Sequence, residues 1–139
     1  MEISLVRQRL RDTIERAKRQ AAARRARADE ASREYDAFLE HIAIPLVRQL
    51  ANALKADGYA FTVFTPLGSV KLMSDRRAED FIEIVLAATA DGARVAVHTS
   101  RVHGRNIVEA ERPIGNPGAI AENDLLEFLL KELEPFVER

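Results

Sequence analysis

"DFIEIVLAATADGARVAVHTSRV", Asp80 to Val102, decides the architecture of the second half of the chain. Side chains on an extended strand alternate between faces, so Ile82, Ile84 and Leu86 share one face while Phe81 and Val85 share the other. Apolar residues on both faces suit a central strand. "ADGA", Ala90 to Ala93, is a strong hairpin turn signal. Beyond it Val95 and Val97 alternate with Ala96 and His98, the pattern of a returning antiparallel partner.

Working outward, the same grammar repeats. "YAFTVFT" (Tyr59 to Thr65) is rich in aromatic and β-branched strand formers. "PLG" then turns the chain into "SVKLM", with Val70 and Leu72 on one face. On the other side "HGR" (His103 to Arg105) turns into "NIVEAERP", a weaker strand ending at Pro113, where a sheet edge is expected. "IGNPGAIAEN" reads as loop. "DLLEFLLKELEPF" reads as a final helix with Asp124 and Glu127 as its capping box. Leu126, Leu129, Leu130 and Leu133 give that helix an apolar face, Leu125 and Phe128 widen it, and Pro135 ends or bends it.

The first half is different. From Ser4 to Asp57 there is no glycine and a single proline, Pro45, in a segment of good helix formers. One stripe runs Ile3, Val6, Leu10, Ile14, Ala17, Ala21, Arg24, Ala28, Ala31, Tyr35, Phe38, Ile42, in steps of three and four. Leu46, Leu50 and Leu54 continue as a sheet-packing helix, and Gly58 is the natural left-handed stop. Pro45 predicts a kink or short break near Ile44. The fold class is therefore α+β: a long N-terminal helix kinked near Pro45, an antiparallel meander of about five strands and a C-terminal helix. Residues 1–56 form the helical arm and sheet-packing helix, residues 57–139 the sheet and last helix, within one structural domain.

Forty residues of helix span about 60 Å, far beyond a domain whose radius of gyration is about 13 Å, so the helix must overhang. Its stripe invites self-association through Val6, Leu10, Ile14, Ala17, Ala21, Ala28, Ala31 and Tyr35, with a homodimer favoured. The same helix holds "RAKRQAAARRARA", Arg16 to Ala28, with six cations and no acid. Arg16, Lys18, Arg19, Arg24, Arg25 and Arg27 make nucleic acid the alternative partner. Against that, no asparagine precedes Asn52, and acids flank the patch: Asp12 and Glu15 before it, Asp29 and Glu30 after it. Glu15 with Arg19 and Arg25 with Asp29 are spaced as surface ion pairs. Charge is polarised along the chain. Residues 1–33 carry ten bases and five acids, residues 109–139 eight acids and three bases, although the whole chain is only −1.

Catalytic chemistry is sparsely supplied. The chain has no cysteine, which removes disulfides, thiolate ligands and thiol nucleophiles together. His98 and His103 fall on opposite faces of a continuous strand, so no metal site is expected. The acids of "SDRRAEDF", Asp75, Glu79 and Asp80, read as a solvated connection. No serine has a nucleophile-elbow context and no glycine-rich loop suits a phosphate. Arg94, Arg101, Arg105 and Arg112 read as scattered surface charge. The expectation is a non-enzymatic interaction module without cofactor, engaging itself and an unidentified protein partner. A small-ligand or enzymatic pocket between sheet and helix is the further alternative. No signal-peptide or membrane-spanning pattern is expected, and the arginine-rich, cysteine-free composition suits a bacterial cytoplasmic protein.

Overall fold

The computed structural model describes residues 1–90 and 92–138. Helix α1 (Ile3–Phe38) passes through a π-helical turn (Leu39–Ala43) into α2 (Ile44–Ala56). Five strands follow, β1 (Phe61–Phe64), β2 (Val70–Ser74), β3 (Phe81–Thr89), β4 (Gly92–His103) and β5 (Asn106–Gly115). A short 3₁₀ turn (Pro117–Ala119) then leads to α3 (Glu122–Val137). The sheet is the expected meander, antiparallel throughout in the order β1-β2-β3-β4-β5, with β3 central. Asp91, of the expected "ADGA" turn, lies outside the described residues.

The irregularity expected before Pro45 takes the form of the wide π turn. Pro45 has no N–H to donate, and in a regular helix its ring would meet the carbonyl four residues back. Widening the preceding turn relieves that clash, and the Ile44 N–H reaches the Leu39 carbonyl, five residues back. The helix therefore bends its register without stopping. It ends where Gly58 adopts φ 90°. There the Tyr59 N–H bonds the Leu54 carbonyl at 2.8 Å and the Gly58 N–H bonds that of Lys55 at 3.1 Å, the paired closure that a left-handed glycine permits.

One face of the sheet carries Val70, Leu72, Ile82, Ile84, Val95 and Val97, all buried. Tyr35, Phe38, Leu39, Leu46 and Val47 of the long helix share that core with Leu125, Leu129, Leu133 and Phe136 of α3. Each such apolar side chain contributes about 1.5–3 kcal/mol by leaving water. The core thus draws on both halves of the chain. The opposite face is partly open to solvent, although the small residues Ala96 and Ser100 on it are buried. The strand registers align Phe64, Lys71, Glu83, His98 and Glu111 in one row across all five strands, which sets Lys71 opposite Glu83 as a cross-strand pair of opposite charge.

Two local expectations need adjusting. α3 starts at Glu122, and Asp124 sits inside its first turn, accepting the Ala121 N–H at 3.4 Å. Ala121 has no side-chain oxygen to reciprocate, so only half of a capping box exists. The buried line of α3 is Leu125, Leu129, Leu133 and Phe136, rotated from the face expected, and this leaves Leu130 49% exposed. Pro135 is tolerated within the last turn. On the edge strand, Val95 pairs with Gly115 but Ala96 pairs with Pro113, so Ile114 is the extra residue of a bulge. Pro113, lacking a donor, sits on the outermost strand as edge prolines do.

Candidate interaction surface

The arm leaves the body near the β3–β4 end of the sheet. Arg27, Glu30, Ala31 and Glu34 line a shallow cleft there with Gly92, Ala93, Asn116 and Pro117. Gly118 packs closely here, since a Cβ on it would stand 2.9 Å from Glu34 Oε2 and would require that side chain to move. N-terminal to the cleft every residue of α1 is exposed except Ala21, which is half-buried. Residues 3–26 thus form a free helix of about 36 Å. Its large apolar side chains lie open to solvent, with Ile3 72%, Leu10 57%, Val6 48% and Ile14 44% exposed.

The expected seam divides between two roles. Val6, Leu10, Ile14, Ala17 and Ala28 are exposed and Ala21 is half-buried along the free helix. Ala31 is half-buried at the cleft. Tyr35 belongs to its own chain's core: it is 3% exposed and its hydroxyl donates to the Gly68 carbonyl at 2.7 Å and the Ile84 carbonyl at 3.3 Å. That burial, with the charges of Glu83 and Asp36, pushes the phenol pKa well above its ordinary value. Tyr35 therefore leaves the set of residues open to a partner. Tyr35 is the first aromatic residue of the stripe, and that is the sequence sign of where packing begins.

At about 100° per residue, the free stripe occupies one arc of the helix, and its borders are cationic. Arg7, Arg9, Lys18, Arg25 and Arg27 fall within about 90° of its centre, as does the single acid Glu2 at the tip; Arg24 lies inside it, and Asp12 and Glu15 fall on the far side. Arg16, Lys18, Arg19, Arg24, Arg25 and Arg27 are all exposed. The Glu15–Arg19 and Arg25–Asp29 pairs are not closed. Among the described residues Arg112 and Glu132 close an ion pair at 2.6 Å, joining β5 to α3, and His98 Nε2 lies 3.9 Å from Glu109. Holding two long exposed side chains together costs more rotamer entropy than water-screened attraction returns. Arg112 is thus a structural tie rather than scattered charge.

Other sequence candidates are absorbed by the fold. Asp80 is not solvated: it is 3% exposed, and its carboxylate accepts the Val102 N–H at 2.8 Å, tying the β2–β3 connection to β4. Asp75 accepts from the Thr62 hydroxyl. His98 stacks edge-on against Phe81, with ring centroids 5.4 Å apart, and Lys71 covers that ring at 3.9 Å. His103 points to Arg101 instead, 3.5 Å away. Among the described residues no three metal-capable side chains converge, and no helix is long and apolar enough to cross a membrane.

A second apolar surface was hidden from sequence reading. Leu50 and Leu54 of α2, Leu130, Leu133 and Val137 of α3, and Tyr59 line a groove of about 340 Å³, with Asp57 at its end. Glu127 and Glu134, three before and four after Leu130 and both exposed, flank Leu130 on the side of α3 turned away from Leu133. The carboxylates around Leu130 were the available signal, since a fully buried leucine is seldom bracketed that way. No protein-family model, no curated protein and no solved structure matches this chain.

Proposed function

We propose that the protein is a non-enzymatic, self-associating interaction module whose N-terminal arm is the contact element. A single observation carries this reading. A stripe of large and small apolar side chains, Ile3 to Ala28, lies in water on a helix that its own body does not cover. Exposed apolar surface of that extent marks association. The homodimer is favoured because closed two-fold assemblies are the commonest solution for identical chains. A role in a bacterial cytoplasm, with a further protein partner on the body, completes the reading.

The alternative is nucleic-acid binding through Arg16, Lys18, Arg19, Arg24, Arg25 and Arg27, favoured by their exposure and by the absence of closed ion pairs among them. One pair of variants separates the two. Ala21→Glu with Ala28→Glu places charge in the seam and, if the seam is buried by a partner, costs several kcal/mol, on the order of 3–5. Arg19→Gln with Arg27→Gln removes only exposed charge, worth about 0–1 kcal/mol to assembly. Loss of assembly in the alanine variant alone supports self-association. Intact assembly there, together with loss of tight, salt-sensitive nucleic-acid binding in the arginine variant, refutes it.

A further inference from the structure

Deepening that reading, and resting on it, we propose that the arm of one copy docks in the α2–α3 groove of a second copy. The first turns of α1 lay Ile3, Val6 and Leu10 against Leu50, Leu54 and Leu130, and the partner's arm returns the same contact.

Three features select this occupant. The first is anchor spacing: Ile3, Val6 and Leu10 stand at i, i+3 and i+7, the spacing by which an amphipathic helix fills an apolar groove. The groove supplies matching leucines, of which Leu130 is 49% exposed. The second is charge. After Glu2, the first turns of the arm carry Arg7, Arg9 and Arg11 and no further acid before Asp12, whereas Asp57 lines the groove and the exposed Glu127 and Glu134 flank Leu130 on α3. Two arms laid stripe to stripe would instead set cation beside cation along both borders, and Arg24 inside the seam. Like charges so placed repel, and opposite charges fix the register.

The third feature is length. Residues 3–28 of the long helix project or border the body, and residues 29–56 pack on it. These segments measure about 39 Å and 42 Å. A second copy running antiparallel along the first therefore brings its N-terminal turns to the far end of α2, where the groove lies. The two-fold relation makes both contacts identical and closes the assembly at two chains.

The test uses the full chain. Sedimentation equilibrium is run on the unmodified protein, Leu10→Glu and Leu130→Glu. Because the chain lacks cysteine, a Val6→Cys chain mixed with a differently tagged Leu130→Cys chain reports proximity through mixed disulfides under mild oxidation. Both glutamate variants are expected to raise the dimer dissociation constant about thirtyfold or more, as removal of a central apolar anchor does, and mixed disulfides are expected to dominate. If Leu10→Glu dissociates while Leu130→Glu stays dimeric, or if Val6–Val6 disulfides prevail, the groove is overturned and self-association through the arm survives. If the unmodified protein is monomeric at tens of micromolar (about), both fall. Should Leu130→Glu fail to fold by circular dichroism, the disulfide experiment decides alone, and absence of the mixed product overturns the proposal.

Discussion

The two halves of the long helix share one continuous backbone but use their apolar stripes differently. From Tyr35 to Ala51 the stripe is aromatic and branched, and Tyr35, Phe38, Leu39, Leu46 and Val47 are each buried against the sheet and α3. From Ile3 to Ala28 it is aliphatic at the tip and alanine in the middle, and it faces water. Backbone propensity does not separate the halves, since both are built of good helix formers. The difference lies in packing. The body nucleates the helix, and the arm then extends it at little cost, because only nucleation is expensive. Helicity thus says nothing about whether a stripe is satisfied; side-chain volume and bordering charge do.

The comparison breaks most visibly at Phe38. Phe38→Ala should destabilise the fold by about 3–5 kcal/mol, the cost of a cavity beneath a buried aromatic. Urea denaturation measures this, and a loss below about 1 kcal/mol would mean that the packed half is not packed. Tyr35→Phe is a finer probe. Removing the hydroxyl should cost about 1 kcal/mol near neutral pH by leaving the Gly68 carbonyl without its donor.

Tyr35 also sets a pH dependence. Its folded pKa lies above the unfolded value of about 10, so the unfolded chain releases the phenolic proton first. The stabilisation is complete below about pH 10 and is lost as pH rises beyond it. The unmodified protein should therefore lose stability above that pH more steeply than Tyr35→Phe. Equal alkaline slopes in thermal melts would contradict the burial of this hydroxyl.

The free half should respond weakly in the same assays. Leu10→Ala should change the stability of the isolated monomer by no more than about 0.5 kcal/mol, since that side chain is already in water. Under dissociating conditions, amide protection should decline steadily from Phe38 toward Ile3, because the tip has no tertiary support. At assembling concentrations protection should return to the first turns. The smallest effect belongs to Arg19→Gln with Arg27→Gln, about 0–1 kcal/mol on assembly, read from the dissociation constant.

Much of this architecture was legible in the residues. The period of two in Asp80–Val102 and its "ADGA" turn fixed the meander, and Gly58 marked the helix end by its tolerance of positive φ. Pro45 announced an irregularity, but whether the chain kinks, breaks or takes a π turn depends on the packing of Leu39 and Ala43 against the core, which is non-local. Asp80 was misread because nothing in "SDRRAEDF" reveals that a β4 amide waits for its carboxylate. The groove was invisible for a similar reason: α3 carries more leucines than one buried line needs, and only tertiary placement selects Leu125, Leu129 and Leu133 over Leu130. The arm was the reverse case. Its overhang followed from length alone.

The most direct test of the central claim, that the arm is covered by another copy, is the mass of the unmodified protein in solution. Light scattering after size exclusion should give about twice the 15.6 kDa of one chain at micromolar concentration, and should fall toward one chain on strong dilution. A mass of 15.6 kDa throughout the micromolar range would show that the apolar stripe stays bare, and would contradict the account.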